Sequence, residues 1–149
     1  MEQDKQINMQ LLSVRETAVR NSCGGKDLSN LKPENLFFQF KTHVKINRAK
    51  DTITVLTGAK YSYNNQELLL VESDTVFKVE QLDEIVTQDP DKNEINFSFD
   101  IIPVLLSISY GTLRGIVYKE TQKGPLESYP MPMIPTKVLT EKSYIAIEE

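Results

Sequence analysis

The 149 residues carry 17 Lys and Arg against 21 Asp and Glu, a formal charge of −4, with 40% hydrophobic and 26% charged residues. That length and balance fit one domain, residues 1–149, able to bury a core without disulfide or metal, and exclude a disordered chain. A single cysteine, Cys23, excludes an internal disulfide and favours the cytoplasm, while the lone histidine, His43, excludes the usual zinc ligand sets.

Residues 1–6 are polar and read as a frayed end, with no apolar stretch behind them to make a signal peptide. Residues 7–18 are ambiguous. Ile7, Leu11, Val14 and Ala18 fit a helical face, whereas Leu12, Val14 and Ala18 share one face of a strand interrupted by Glu16. Residues 21–35 are dense in turn formers and predict a long loop.

The next block is a sheet. Phe38, Phe40, Thr42, Val44 and Ile46 alternate with Gln39, Lys41, His43, Lys45 and Asn47, one dry face against one wet. Residues 48–51 turn the chain. Residues 52–63 are rich in Thr, Val, Ile and Tyr, Asn64-Asn65 suits a tight hairpin, and residues 68–71 and 76–79 continue as strand. Four consecutive antiparallel strands result, the first depending on how residues 7–18 resolve. Residues 87–94 then read as a polar loop.

A helix follows, with Pro103 in its first turn and Gly124-Pro125 ending it. Ile102, Leu105, Leu106, Ser109, Leu113 and Ile116 form one uncharged stripe that can pack on the sheet. Val104, Ile108, Gly111, Gly115 and Tyr118 form a second, which needs another cover. Ser107, Gly111 and Gly115 recur every four residues and would let a second helix backbone approach closely. Two mid-helix glycines cost about 1 kcal/mol each relative to alanine, so a compensating contact is expected. Self-association through Val104, Ser107, Ile108, Gly111, Gly115 and Tyr118, giving a dimer or tetramer, is the favoured reading. Packing of that stripe on the chain's own C-terminal segment is the bland alternative. The tail contains Tyr129-Pro130-Met131-Pro132-Met133-Ile134-Pro135, whose prolines hold an extended connector. Pro135 opens a short helix through Val138 and Leu139. Residues 144–147 suit a strand, and residues 141–149 are otherwise left flexible or irregular.

Little catalytic chemistry is visible, so no enzyme, cofactor or metal is expected. His43 sits in the wet series of a strand. Cys23 precedes Gly24-Gly25 in a loop with only Lys26 nearby, too little to activate a thiol. Asp83-Glu84 and Asp89, Asp91 and Glu94 are ordinary polar-loop carboxylates, and the latter group lacks the glycine and terminal ligand of a calcium loop. The basic residues are scattered singly, which argues against nucleic acid. The longest uncharged run, residues 101–113, is thirteen residues with a proline inside; a bilayer span needs about 20. A soluble chain with no membrane insertion is expected.

The run Pro103-Val104-Leu105-Leu106-Ser107-Ile108-Ser109-Tyr110-Gly111-Thr112-Leu113-Arg114-Gly115-Ile116 resembles the long first helix of the SecB-type bacterial chaperones. Residues 124–132 resemble that family's connector, residues 135–139 the start of its last helix, and the upstream strands with their long loop agree in order. The resemblance covers most of residues 7–140. It implies an α+β fold in which residues 7–19 are a strand, with a four-stranded antiparallel Greek-key sheet and two helices packed on one face. It further implies a homo-oligomer, dimers of dimers with the long helices sandwiched between sheets, that holds unfolded polypeptide clients or preproteins in apolar grooves without ATP. Many members pass clients to the export motor ATPase through an acidic patch on the outer sheet face, where Glu72 lies in the comparable strand; other relatives serve toxin–antitoxin pairs. The last helix departs from the family in being short and without aromatics.

A holdase needs adaptable apolar surface, which methionines and aromatics supply. Tyr129, Met131, Met133 and Ile134, with Leu126, Phe37, Val138 and Leu139, are the candidate client groove, against the plainer reading that they cap the domain's own core. Competing classes are a small hydrophobic-ligand binder using the same groove, a structural subunit of a larger complex, and a hot-dog-type thioesterase, for which Asp100 is the only acid near the helix.

Overall fold

The computed structural model describes residues 7–24, 28–89, 91 and 94–148; the N-terminal end expected to fray lies outside them, as do Lys26 and part of the 89–94 loop. At its centre β2 (Leu36–Asn47), β3 (Thr52–Tyr63) and β4 (Gln66–Val79) form an antiparallel meander. Asn64 and Asn65 both take positive φ, 49° and 64°, as the tight β3–β4 turn requires. The two stretches expected at 68–71 and 76–79 are a single strand. Asp51 fixes the β2–β3 turn to the end of β4: its carbonyl accepts from the Val79 N–H (2.8 Å) and its carboxylate from the Leu82 N–H (3.1 Å).

The ambiguity at residues 7–18 resolves as strand. β1 (Met9–Asn21) lies antiparallel on β4, so the chain crosses residues 22–35 to reach β2 at the far side. This puts β1 to β4 in the spatial order 1-4-3-2 of a Greek key. The sheet nevertheless has five strands, not four. β7 (Tyr144–Ile147) adds to β2 in parallel, from His43↔Tyr144 to Ile46↔Ile147. Hydroxyls of Thr42 and Ser143 bond at its entry, and Ile145 and Ile147 pack on the core. Alternating apolar and small residues made this segment as good a strand as a flexible tail; the exposed side of β2 supplied the partner.

A one-turn helix α1 (Leu82–Ile85) leads into a small hairpin of β5 (Val86–Asp89) and β6 (Glu94–Phe97). Thr87, Gln88, Asp89 and Glu94 of the expected polar loop at 87–94 are therefore paired residues of this hairpin. α2 (Ile102–Thr121) follows with Pro103 in its first turn, and α3 (Thr136–Lys142) is the short last helix. The turn that stops α2 is made by Lys123, at φ 60°, rather than by Gly124. α2 lies over β3 and β4, and α3 over β2. Between them Val44, Ile53, Val55, Tyr61, Val71 and Phe77 of the sheet meet Leu105, Leu106, Leu113 and Val117 of α2, all buried.

Candidate functional site: an uncovered helix face and its connector

The two stripes of α2 separate as their spacing demands. Ile102, Leu105, Leu106, Ser109 and Leu113 are buried and Ile116 is half-buried. On the other side Val104, Ile108 and Tyr118 remain 46%, 44% and 62% exposed, with Ser107, Gly111 and Gly115 also exposed. The C-terminal segment meets this stripe near its start, where the Ser107 and Thr136 hydroxyls bond at 3.0 Å. A methyl built on Gly111 or Gly115 would meet nothing within 4 Å. The space the glycines leave is a hollow of about 440 Å³, whose other wall includes Pro130 and Met131 of the connector.

The connector, residues 122–135, is held from below by two tyrosines. Tyr61 donates its hydroxyl to the carbonyl of Tyr129, and Tyr110 donates to that of Pro132, each at 2.7 Å. Ring contacts with Phe38 (5.2 Å) and Phe40 (6.0 Å) fix their orientation. Burial pushes both hydroxyls up to about 12; the Tyr110 charge adds to the effect at Tyr61, while Arg114 opposes it at Tyr110. Both therefore stay protonated donors at neutral pH.

The candidate groove residues divide. Leu126, Met131 and Leu139 are buried in the core, so they anchor the connector and α3 rather than present a surface, although Met131 touches the floor of the hollow. Tyr129, Ile134 and Val138 are half-buried, and Met133 is 82% exposed. Phe37 belongs elsewhere. It is 59% exposed but pairs with Ser62 in the odd-numbered series of β2, on the sheet face away from the helices. Pairing inverts the expectation because strand alternation puts Phe38 and Phe40, not Phe37, beneath the connector.

Two apolar surfaces escaped the sequence reading. Leu28 and Leu31 of the long loop, with Cys23 and Tyr129, line a second hollow of about 610 Å³ on the other side of the connector. On β1, Met9, Leu11, Val14 and Val19 pair with Phe77, Thr75 and other core-facing residues of β4, yet they are exposed because α2 packs over β3 and β4 and bonds to β1 at its end, where Asn21 donates to the Glu120 carbonyl. The expected face of Leu12, Val14 and Ala18 is broken by irregularities at Leu11/Ser13 and Glu16/Ala18. Those bulges hide the alternation from a sequence pattern.

His43 is half-buried rather than fully solvated, its ring edge against Tyr144 (4.9 Å) and its Nε2 without a hydrogen-bond partner. Cys23 Sγ approaches the Leu68 carbonyl at 3.8 Å. Asp100 is exposed before α2. Among the described residues no three His, Cys, Asp or Glu side chains gather as a metal site, and no helix is long and apolar enough to cross a membrane. Glu72 does face outward from the sheet, where Lys41 pairs with it at 2.9 Å.

No protein-family model matches the chain, and no curated protein does. Among solved structures it is similar to the Rv1957 SecB-like chaperone of Mycobacterium tuberculosis, in complex with a ChAD peptide from the Rv1956 HigA1 antitoxin. That match has a TM-score of 0.50 and 14% identity over 85% of this chain and 90% of the other. A protein of unknown function from Streptococcus agalactiae aligns over 88% of this chain and 99% of its own with a TM-score of 0.42 and 10% identity. The architecture is a SecB-like fold.

Proposed function

We propose that this chain is an ATP-independent holdase that binds unfolded polypeptide segments along the connector and assembles through the uncovered face of α2. The observation that carries the reading is apolar surface left wet on a well-packed domain. Val104, Ile108 and Tyr118 on α2, the helix-side residues of β1, and Met133 on the connector are all exposed. Scattered exposed apolar residues are ordinary, whereas a run of them along one helix face marks an interaction surface. The two hollows flanking the connector place Tyr129 on one side and Tyr118 and Met131 on the other, next to flexible or aromatic side chains that repack around varied sequences.

The SecB-like fold supports the same reading, and the peptide-bound state of the M. tuberculosis neighbour supports polypeptide clients. Its antitoxin peptide also favours one class of client, an antitoxin segment, over a preprotein bound for export. The pairing of Glu72 with Lys41 gives an acidic-patch contact with the export motor no support. Cytoplasmic location and a homotetramer belong to the same proposal.

The test is aggregation of a chemically unfolded client without nucleotide. Substoichiometric to several-fold excess protein should suppress light scattering in proportion to its concentration. Scattering that is unaltered at several-fold excess refutes the holdase reading.

A further inference from the structure

The sheet face turned away from the helices is a built surface of opposite charge to the chain. Strand register sets its rows: Ala18, Glu72, Gly58 and Lys41 lie across from one another, and next to them Arg20, Leu70, Lys60 and Gln39. Gly58 is what makes the first row concave. A Cβ there would sit 2.8 Å from Lys41 Cε and 3.0 Å from its Cγ, so the lysine stem lies directly across the glycine to reach Glu72 on the next strand but one. The resulting hollow, about 620 Å³, is lined by Arg20, Lys41, Lys60 and Lys142 among others, against two carboxylates, Glu67 and Glu72. Both are already engaged, Glu67 by the two-pronged Arg20 guanidinium (3.1 and 3.2 Å) and Glu72 by Lys41. Beyond the rim Arg15, Lys45 and Lys78 share the face, and its other acids, Asp74 and Glu148, are paired to Arg15 at 3.3 Å and to Lys45 at 3.8 Å. The face is thus cationic on a chain of net charge −4. Lys60 makes no ion pair among the described residues, and Leu70 and the exposed Phe37 add apolar contact beside it.

We infer that this outer-face hollow docks an acidic polypeptide segment of a partner protein, carboxylates meeting Lys60, Lys142 and Arg20 and an apolar side chain meeting Leu70 or Phe37. Charge complementarity is the argument for the occupant. A polypeptide fits better than a polyphosphate. A nucleic-acid backbone, with a charge about every 1.7 Å of duplex axis, would set phosphates against Glu67 and Glu72, whereas a peptide can space its carboxylates to match the cations. Arg20, Lys41 and Lys60 lie on the opposite side of the sheet from the connector and α2, while Phe38, Phe40 and Lys142 of α3 also line the hollow.

The experiment is fluorescence anisotropy on the full chain with a short labelled peptide of Asp and Glu containing two leucines. Controls are the same peptide with Asn and Gln in place of the acids, a single-stranded oligonucleotide, and phosphatidylserine vesicles. The acidic peptide should bind, weaken with added salt, and lose at least about tenfold in affinity in Lys60→Glu, because like charges set opposite cost several kcal/mol. Lys142→Glu, at the rim, should act in the same direction, and an unchanged circular dichroism spectrum verifies the fold in both. Equal affinity for the uncharged peptide, no loss in either variant, or tighter binding of the oligonucleotide or vesicles overturns the inference.

Discussion

Gly111 separates the two accounts of α2 because they predict opposite signs. Within one copy of the chain nothing lies within 4 Å of a Cβ at Gly111 or Gly115. Replacing either by alanine there removes only the helix penalty of glycine, about 1 kcal/mol each, which for a chain of this size raises the melting temperature by about 2–4 °C per substitution. Gly111→Leu extends the test. Leucine is as good a helix former, and its side chain reaches into a hollow rather than a neighbour. If a second helix packs on this stripe, the added side chain forces the backbones apart and the assembly dissociates. The assay is solution mass by light scattering with melting temperature on the same samples. A smaller species that stays folded bears out the interface. An unchanged mass with a raised melting temperature removes it, and an unfolded Gly111→Leu chain refutes the claim that the glycines face open space.

Met133→Ser should weaken suppression of client aggregation with less than about 0.5 kcal/mol change in stability, as for an exposed site, whereas Met131→Ser should destabilise by about 2–5 kcal/mol as a core truncation; urea titrations beside the aggregation assay separate the two. Tyr61→Phe and Tyr110→Phe each leave a connector carbonyl without its donor, a loss of about 1–3 kcal/mol where the carbonyl stays dry, and hydrogen exchange should rise in residues 126–135. Because both tyrosines are raised from 10 to about 12 on folding, their ionised form is favoured in the unfolded chain. Their contribution is intact below pH 10 and is lost as pH rises through 12. A pH titration of stability with an alkaline loss that is smaller in the double Phe variant checks this; identical alkaline limbs refute it.

Periodicity over residues 36–79 and the two-stripe pattern of α2 were legible because each follows the register of one element. The residues that a strand or helix repeat assigns to the dry side are buried or half-buried. The groove residues were less legible. Composition marks Leu126, Met131 and Met133 alike as apolar residues in a proline-rich stretch, whereas the fold buries the first two and exposes the third on a connector held by Tyr61 and Tyr110. Phe37 failed for a simpler reason: next-door residues of a strand point to opposite faces. β1 and β7 depend on long-range partners, β4 and β2, that local sequence cannot supply. The Lys41–Gly58–Glu72 row is invisible to a scan for basic clusters because its members come from three strands.

β7 makes the two rims of the sheet unequal. It occupies residues 43–46 of β2 and leaves residues 36–42 of that strand open, while the whole thirteen-residue length of β1 lacks an outer neighbour among the described residues. A twofold axis that sets the longer free rim of one copy against that of another extends the sheet across both copies and uses that rim up.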